Sequence, residues 1–324
     1  MPVKRLKPLN DFAFQKVMGE KGDEKQLLAF LNAVLSPTGT GKLTGVRILQ
    51  DKDLSPDVVG GKLGRLDVLA QLADRRWVNV EVQLKNEYNM EKRTLFYWAS
   101  RYVRNFRSGD DYRDLLPVIT INITGFECLL KVQDFHATFH LWEDHQKDFL
   151  LTDVCELHFL DMVKFRRYRR EGKDFSLKNP LHRWLAYFDD NSSPELVEEV
   201  VKMDKAILLA QTKLEVIARN PELLRAYERY EKAASDWTSS INGARREGMQ
   251  KGIQEGRKEG IQEGMQKGIQ EGRKAGMQEG RKAGMQEGRK EEQREIARNL
   301  KKLGVAVEQI AQATGLSVKD IAQL

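Results

Sequence analysis

Between Gly248 and Gly288 a glycine stands at every fourth position, which places eleven of the chain's 25 glycines within 41 residues. The unit is Gly-(Met/Ile/Arg)-(Gln/Lys)-(Glu/Lys/Ala), as in Gly252-Ile253-Gln254-Glu255. Such an internal repeat has to be set apart before any fold is considered. Each glycine inside a helix costs about 1 kcal/mol relative to alanine, so eleven would cost on the order of 10 kcal/mol in isolation. Either the stretch is flexible, or helices pack along the glycine row and recover the loss. Four residues turn an α-helix by about 400°, so the row advances roughly 40° per repeat and a partner following it wraps right-handedly. The Gln, Glu, Lys and Arg between the glycines exclude lipid as that partner. A helical spacer or oligomerisation stalk is the expectation, with the chain a homo-oligomer through its C-terminal repeat and tail.

The repeat divides the 324 residues into residues 1–185 of ordinary complexity, a helix-patterned region at 186–242, the repeat itself at 243–291 and a small unit at 292–324. At 40% hydrophobic and 8% aromatic residues the chain can bury a core, so wholesale disorder is excluded. No apolar run approaches the roughly 20 residues of a membrane span, and the basic start, residues 1–9, has no apolar stretch behind it as a secretory signal would. Two cysteines, Cys128 and Cys155, make no disulfide framework and suit a reducing cytoplasm. The balance of 54 Lys+Arg against 48 Asp+Glu gives +6, compatible with a nucleic-acid partner.

In the first part the hydrophobic period changes several times. Phe12, Phe14, Val17, Leu27, Leu28, Phe30, Leu31, Val34 and Leu35 predict one or two amphipathic helices, broken near residues 19–22 and stopped at Ser36-Pro37-Thr38-Gly39. Residues 46–49 read as a short strand. Residues 66–72 and 77–84 alternate strictly around Ala73-Asp74-Arg75-Arg76, a hairpin. Helical spacing returns at 88–106 through Leu95, Phe96, Ala99, Tyr102, Val103 and Phe106, and Val118-Ile119-Thr120-Ile121-Asn122-Ile123 reads as a buried strand. Helix, three strands, helix, strand is an α/β order whose faces are best buried in a mixed sheet flanked by helices, followed by a helical C-terminal region.

With the hairpin turn centred on Asp74, Leu66 opposes Val82, Val68 opposes Val80 and Ala70 opposes Val78, an apolar face. On the other face Asp67 opposes Glu81, Arg65 opposes Gln83 and Leu69 opposes Asn79. Directly opposed Cβ atoms lie about 4.5–5.5 Å apart, and like charges there destabilise. Two facing carboxylates therefore need a cation between them or a raised pKa, and Mg²⁺ or Mn²⁺ suits carboxylate oxygens. The plainer alternatives are that either acid is a solvated strand residue or that the register is off by two.

Asp67, then Glu81-Val82-Gln83 across a hairpin, resembles the Asp…Glu-x-Gln variant of the PD-(D/E)XK nucleases, and within them the Rpn family of recombination-promoting nucleases and putative transposases. The likeness extends over most of residues 9–165 and takes in Asn10-Asp11-Phe12-Ala13-Phe14, Leu31-Asn32-Ala33-Val34-Leu35, Arg93…Tyr97, Gly109-Asp110-Asp111-Tyr112 and Leu116-Pro117-Val118-Ile119. The resemblance implies a restriction-endonuclease-like core and a metal-dependent DNA phosphodiesterase. It makes Asp67, Glu81 and Gln83 the catalytic residues, with Asp67 and Glu81 holding the ion. Gln83 stands where the superfamily usually has Lys, and Lys85, two residues on along the strand, is a candidate substitute cation. Such glycine tetrads are also often seen at this place in Rpn-like proteins.

Other features rank lower. Pro56-Asp57 spells the superfamily's literal motif but has no hairpin partner, so Asp67 is preferred. Asp11 and Glu24 read as helix-cap or surface acids. Arg93, Tyr97, Arg101 and Arg104, at steps of four, four and three opposite the apolar stripe, are either a phosphate-contacting row or a solvated helix face. Gly39-Thr40-Gly41-Lys42-Leu43 fails as a phosphate loop because Ser36 and Leu43 replace required residues. His136, His140 and His145 lack paired cysteines for zinc. The tail has helix-turn-helix spacing with Ala311, a turn at Gly315, and Ile310, Leu316, Ile321 and Leu324 as a mini-core, but Lys319 is the only basic residue of its last helix. The rivals to a nuclease are a non-catalytic DNA-binding regulator using these C-terminal helices and an oligomeric interaction protein with a decayed core.

Overall fold

The computed structural model describes residues 5–36, 41–49, 68–104, 106–146, 148–172 and 174–324. They form two units, Met1–Asp236 and Trp237–Leu324. Arg65, Leu66 and Asp67 of the predicted hairpin, and Pro56 and Asp57, lie outside the described residues.

The first unit opens with α1 (Asp11–Met18) and α2 (Glu24–Leu35). Asn10 caps α1, its side-chain oxygen accepting from the amides of Phe12 and Ala13. A sheet follows from β1 (Val46–Leu49), β2 (Val68–Leu72) and β3 (Trp77–Gln83), then α3 (Met90–Val103), β4 (Val118–Thr124), β5 (His136–Trp142) and β6 (Leu150–Asp161). The helices α4 (Met162–Glu171), α5 (Pro180–Phe188), α6 (Pro194–Met203) and α7 (Lys205–Arg219), and the start of α8 (Pro221–Lys302), complete the unit.

The six strands run in the order β1-β2-β3-β4-β6-β5. β3, β4 and β6 are parallel and the other pairs antiparallel, so the sheet is mixed. The hairpin pairs Val68 with Val80, Leu69 with Asn79 and Ala70 with Val78, as the alternation predicts. Arg75, at φ 73°, carries the tight turn. β5 and β6 were not anticipated from the sequence. β5 is an edge strand whose residues are half-exposed or exposed, so it lacks a clean alternation.

One sheet face carries Val68, Ala70, Val78, Val80, Val82, Ile119, Ile121 and Ile123 into the main core with α1, α2 and α5. There Phe30 meets Trp184 and Phe188 edge-on at centroid distances of 5.7 and 5.5 Å. Burial of these large side chains drives the unit's folding.

The second unit contains the repeat, helical throughout as part of α8, followed by α9 (Val307–Thr314) and α10 (Val318–Ala322). A Cβ built on any of the eleven repeat glycines would meet no atom within 4 Å, so the row is open along its length. Ala297, Ile310 and Ile321 are buried together, with Ala311, Leu316 and Leu324 against them. Gly315 ends α9 in the left-handed region at φ 70°, where glycine pays no Cβ penalty.

Candidate active site

The second sheet face is chemically unlike the first. β3 presents Trp77, Asn79, Glu81 and Gln83 to it, and β4 presents Thr120, Asn122 and Thr124, paired as Asn79 with Thr120, Glu81 with Asn122 and Gln83 with Thr124. Asn79, Glu81 and the three β4 residues are buried, Glu81 at 4% exposure. A buried polar side chain has to find partners, because leaving one unmade costs about 1–3 kcal/mol.

Several partners are in place. Asn79 Nδ2 donates to Glu81 Oε1 at 3.2 Å, fixing one carboxylate oxygen from two residues away on the same strand face. Thr94 Oγ1 on α3 donates to Asn122 Oδ1 at 3.0 Å, and Asn122 Nδ2 donates to the carbonyl of His158 at 3.0 Å. Gln83 Nε2 donates to the carbonyl of Lys85 at 3.0 Å. Asn79 Oδ1 and Thr120 Oγ1, on paired positions beside Glu81, have no hydrogen-bond partner among the described residues. Carboxylate, amide and hydroxyl oxygens are hard donors, so this face fits Mg²⁺ or Mn²⁺ better than a soft metal. Among the described residues no three His, Cys, Asp or Glu side chains converge on one point.

The polar sheet face also explains α3, which lies the other way round from the sequence expectation. Its buried residues are Met90, Thr94, Tyr97 and Arg101, while Leu95, Phe96 and Val103, members of the supposed inward stripe, are 49–58% exposed. The helix turns its polar row toward the sheet because Asn79, Glu81, Thr120 and Asn122 offer hydrogen bonds there and little apolar surface. Only toward β6 is the contact apolar, through Met90 and Trp98 against Leu157 and Phe159. The row of Arg93, Tyr97 and Arg101 is therefore not a solvated face: Tyr97 and Arg101 are buried and Arg93 pairs with Glu87 at 3.5 Å.

Of the sequence candidates, Glu81 and Gln83 come together, two residues apart on one face at the carboxyl end of β3. Asp67 is outside the described residues. Lys85 does not continue the strand face as expected: β3 stops at Gln83, and the Lys85 ammonium bonds the carbonyl of Ala234. The strand ends where Gly125 passes so close that a Cβ would lie 2.8 Å from the carbonyl oxygen of Leu84. Asn10, not Asp11, caps α1. Asp11, exposed at the start of α1, has its carboxyl raised by partial desolvation, with its backbone hydrogen bond and then Arg93 and Lys85 pulling it partly back. Glu24 accepts from the amide of Gly22 at 2.8 Å, a local helix-start contact. The residues missed from the sequence, Asn79, Thr94, Thr120 and Asn122, had one visible signal: Thr120, Asn122 and Thr124 alternate with isoleucines in β4.

The histidines form a separate chain on the core side. His136 Nε2 lies 2.9 Å from His158 Nδ1, and His158 Nε2 lies 2.9 Å from Glu156 Oε1. Burial, reinforced by His158, pushes His136 down to about 4. His140 sits edge-on to Trp142, and His145 pairs with Glu143.

A mixed sheet flanked by helices, with an acid and an amide two residues apart at a strand's carboxyl end, is a restriction-endonuclease-like arrangement. The family model described as PD-(D/E)XK nuclease family transposase matches residues 8–244, and the chain belongs to that family. Membership supports a nuclease- or transposase-like role. Comparison with curated proteins and with solved structures gives no match. No helix among the described residues is long and apolar enough to cross a membrane.

Proposed function

We propose that the chain is a divalent-metal-dependent DNA endonuclease, serving recombination, mobile-element or phage-defence DNA in a reducing cytoplasm. The observation that carries the proposal is the buried Glu81 carboxylate, held by Asn79, beside Asn79 Oδ1 and Thr120 Oγ1, which find no partner among the described residues, and followed on its own face by Gln83. Asp67 precedes Val68, which pairs with Val80, the residue before Glu81. Asp67 and Glu81 are the proposed ion-holding pair. Mg²⁺ or Mn²⁺, when bound, supplies Lewis acidity at a phosphate oxygen and lowers the pKa of a coordinated water. Asn79 orients Glu81, and Gln83, tethered at Lys85, orients water or phosphate by hydrogen bonding without adding charge. Plasmid cleavage assays across Mg²⁺, Mn²⁺ and Ca²⁺ test this: Asp67→Ala and Glu81→Ala should each abolish cutting, and cutting that survives either change removes that residue from the site.

We also propose that copies of the chain associate through the glycine repeat. Its glycine row is open, and Met249, Ile253, Ile261, Met265, Ile269, Met277 and Met285, each following a glycine, are 53–76% exposed. Close helix packing along the row would recover part of the helical cost of glycine. Sedimentation of the full chain should show an oligomer that deletion of residues 243–291 disperses.

A further inference from the structure

The half-buried Arg166, Arg169 and Arg183 and the buried Lys164 are visibly compensated. Arg166 and Arg169 share the fully buried Asp189 at 2.8 Å each, Arg183 meets Asp204 at 2.9 Å, and Lys164 donates to the carbonyl of Leu129 at 2.7 Å. Arg101 is different. It is only 7% exposed, yet no carboxylate among the described residues pairs with it, and its Nε has no acceptor. Its guanidinium carbon lies 3.4 Å from the centroid of the Trp77 ring. Burial, with Arg104 adding like charge, pushes Arg101 down to about 10. An aromatic face returns only part of the hydration that a buried cation loses. The rest calls for an anion absent from the chain's own described side chains.

The location says which anion. Arg101 stacks on Trp77, which shares the sheet face of Asn79, Glu81 and Gln83. Trp77 lies four residues before Glu81, about 13 Å along the strand at roughly 3.3 Å per residue. A group there cannot touch the bond cut at Glu81 but can take another phosphate of the same nucleic acid. A guanidinium offers a planar fork of donors matched to phosphate oxygens, and stacking on a ring holds that plane in place.

We propose that Arg101, oriented by Trp77, is a binding site for a backbone phosphate of the nucleic acid flanking the position of cleavage. The proposal rests on the nuclease reading, so its test separates the two. Duplex DNA binding is followed by fluorescence anisotropy over a salt series, using the full chain carrying Glu81→Gln so that cutting does not intervene. Replacing Arg101 by Met keeps much of the apolar stem and should lower the slope of log affinity against log salt by about 0.9, the loss of one phosphate contact. Arg101→Lys keeps the charge and should keep the slope. Binding with an unchanged slope in Arg101→Met overturns the Arg101 site alone, whereas no DNA binding by the parent chain overturns it together with the nuclease reading. Should Arg101→Met fail to fold by circular dichroism, inorganic phosphate exchanged for chloride at constant ionic strength decides: a raised Tm of the parent supports the site, and an unchanged Tm overturns it.

Discussion

Replacing Gly125 by Ala places one methyl group where the structure has no room for it. The new Cβ would stand 2.8 Å from the Leu84 carbonyl oxygen and 3.0 Å from its Cα. Both are backbone atoms, so no side chain can swing aside. Relief requires the end of β3 to move from β4, which stretches the hydrogen bond from the Gly125 amide to the Gln83 carbonyl, now 2.9 Å. Overpacking costs about 1–3 kcal/mol and the lost hydrogen bond about 1 kcal/mol more, giving about 2–4 kcal/mol. For a unit the size of Met1–Asp236, each kcal/mol lowers Tm by about 2–4 °C, so a fall of about 4–16 °C is expected. Because Leu84, the residue pushed, directly follows Gln83, cleavage at a temperature where the variant remains folded should fall as well. The internal control is Gly243→Ala, in α8 outside the repeat row, where a Cβ meets open space and the helix should gain about 1 kcal/mol. Calorimetry of both variants decides, and a Gly125→Ala protein melting within a degree of the parent would refute the claimed close approach.

Thr94→Val should cost about 1–3 kcal/mol in a denaturant titration by leaving Asn122 Oδ1 without its donor; Leu95→Gln, on the outward face of the same helix, should stay within about 0.5 kcal/mol. His136 carries a pH dependence. Its folded-state value near 4 lies below the ordinary 6.5, so between those values the unfolded chain binds the extra proton. Stability from this group is therefore full above pH 6.5 and falls by up to about 3 kcal/mol as pH drops toward 4. His136→Gln should flatten that part of a stability-pH curve, and an unaltered slope would assign the pH dependence to other groups. Gly264→Val with Gly268→Val should reduce self-association in sedimentation velocity without unfolding the first unit, and an unchanged oligomer would place the contact elsewhere.

What could be read from the sequence followed from local regularities. The hairpin declared its register because apolar residues alternate on both arms of a short polar turn, and a slip by one would have turned Val78, Val80 and Val82 to the wrong side. The cap at Asn10 lay one residue before Asp11, and ±1 errors of this kind are usual at helix starts. The orientation of α3 was illegible because it depends on a partner surface. Leu95, Phe96 and Val103 make the more apolar side of that helix, and nothing within residues 90–103 says that the sheet beneath is lined by Asn79, Glu81, Thr120 and Asn122. β6 was missed for a related reason: its first half is exposed or half-exposed and its second half is buried on both faces, so neither alternation nor a uniform apolar run marks it. Of the candidate site, Glu81 and Gln83 were named from their spacing and family likeness, whereas Asn79 and Thr120 required the β3–β4 pairing.

The inverted seating of α3 has a thermodynamic corollary. A helix that adheres to its sheet through Thr94, Tyr97 and Arg101 leaves groups that water readily accommodates when it lifts away, so little heat-capacity change accompanies its separation. Amide hydrogens along Met90–Val103 are accordingly expected to exchange through small local openings, well before those of α5, whose Trp184, Tyr187 and Phe188 are locked in the aromatic core. The floor holding Glu81 would thus be bared by a modest excursion of one element while the rest of the unit stays shut.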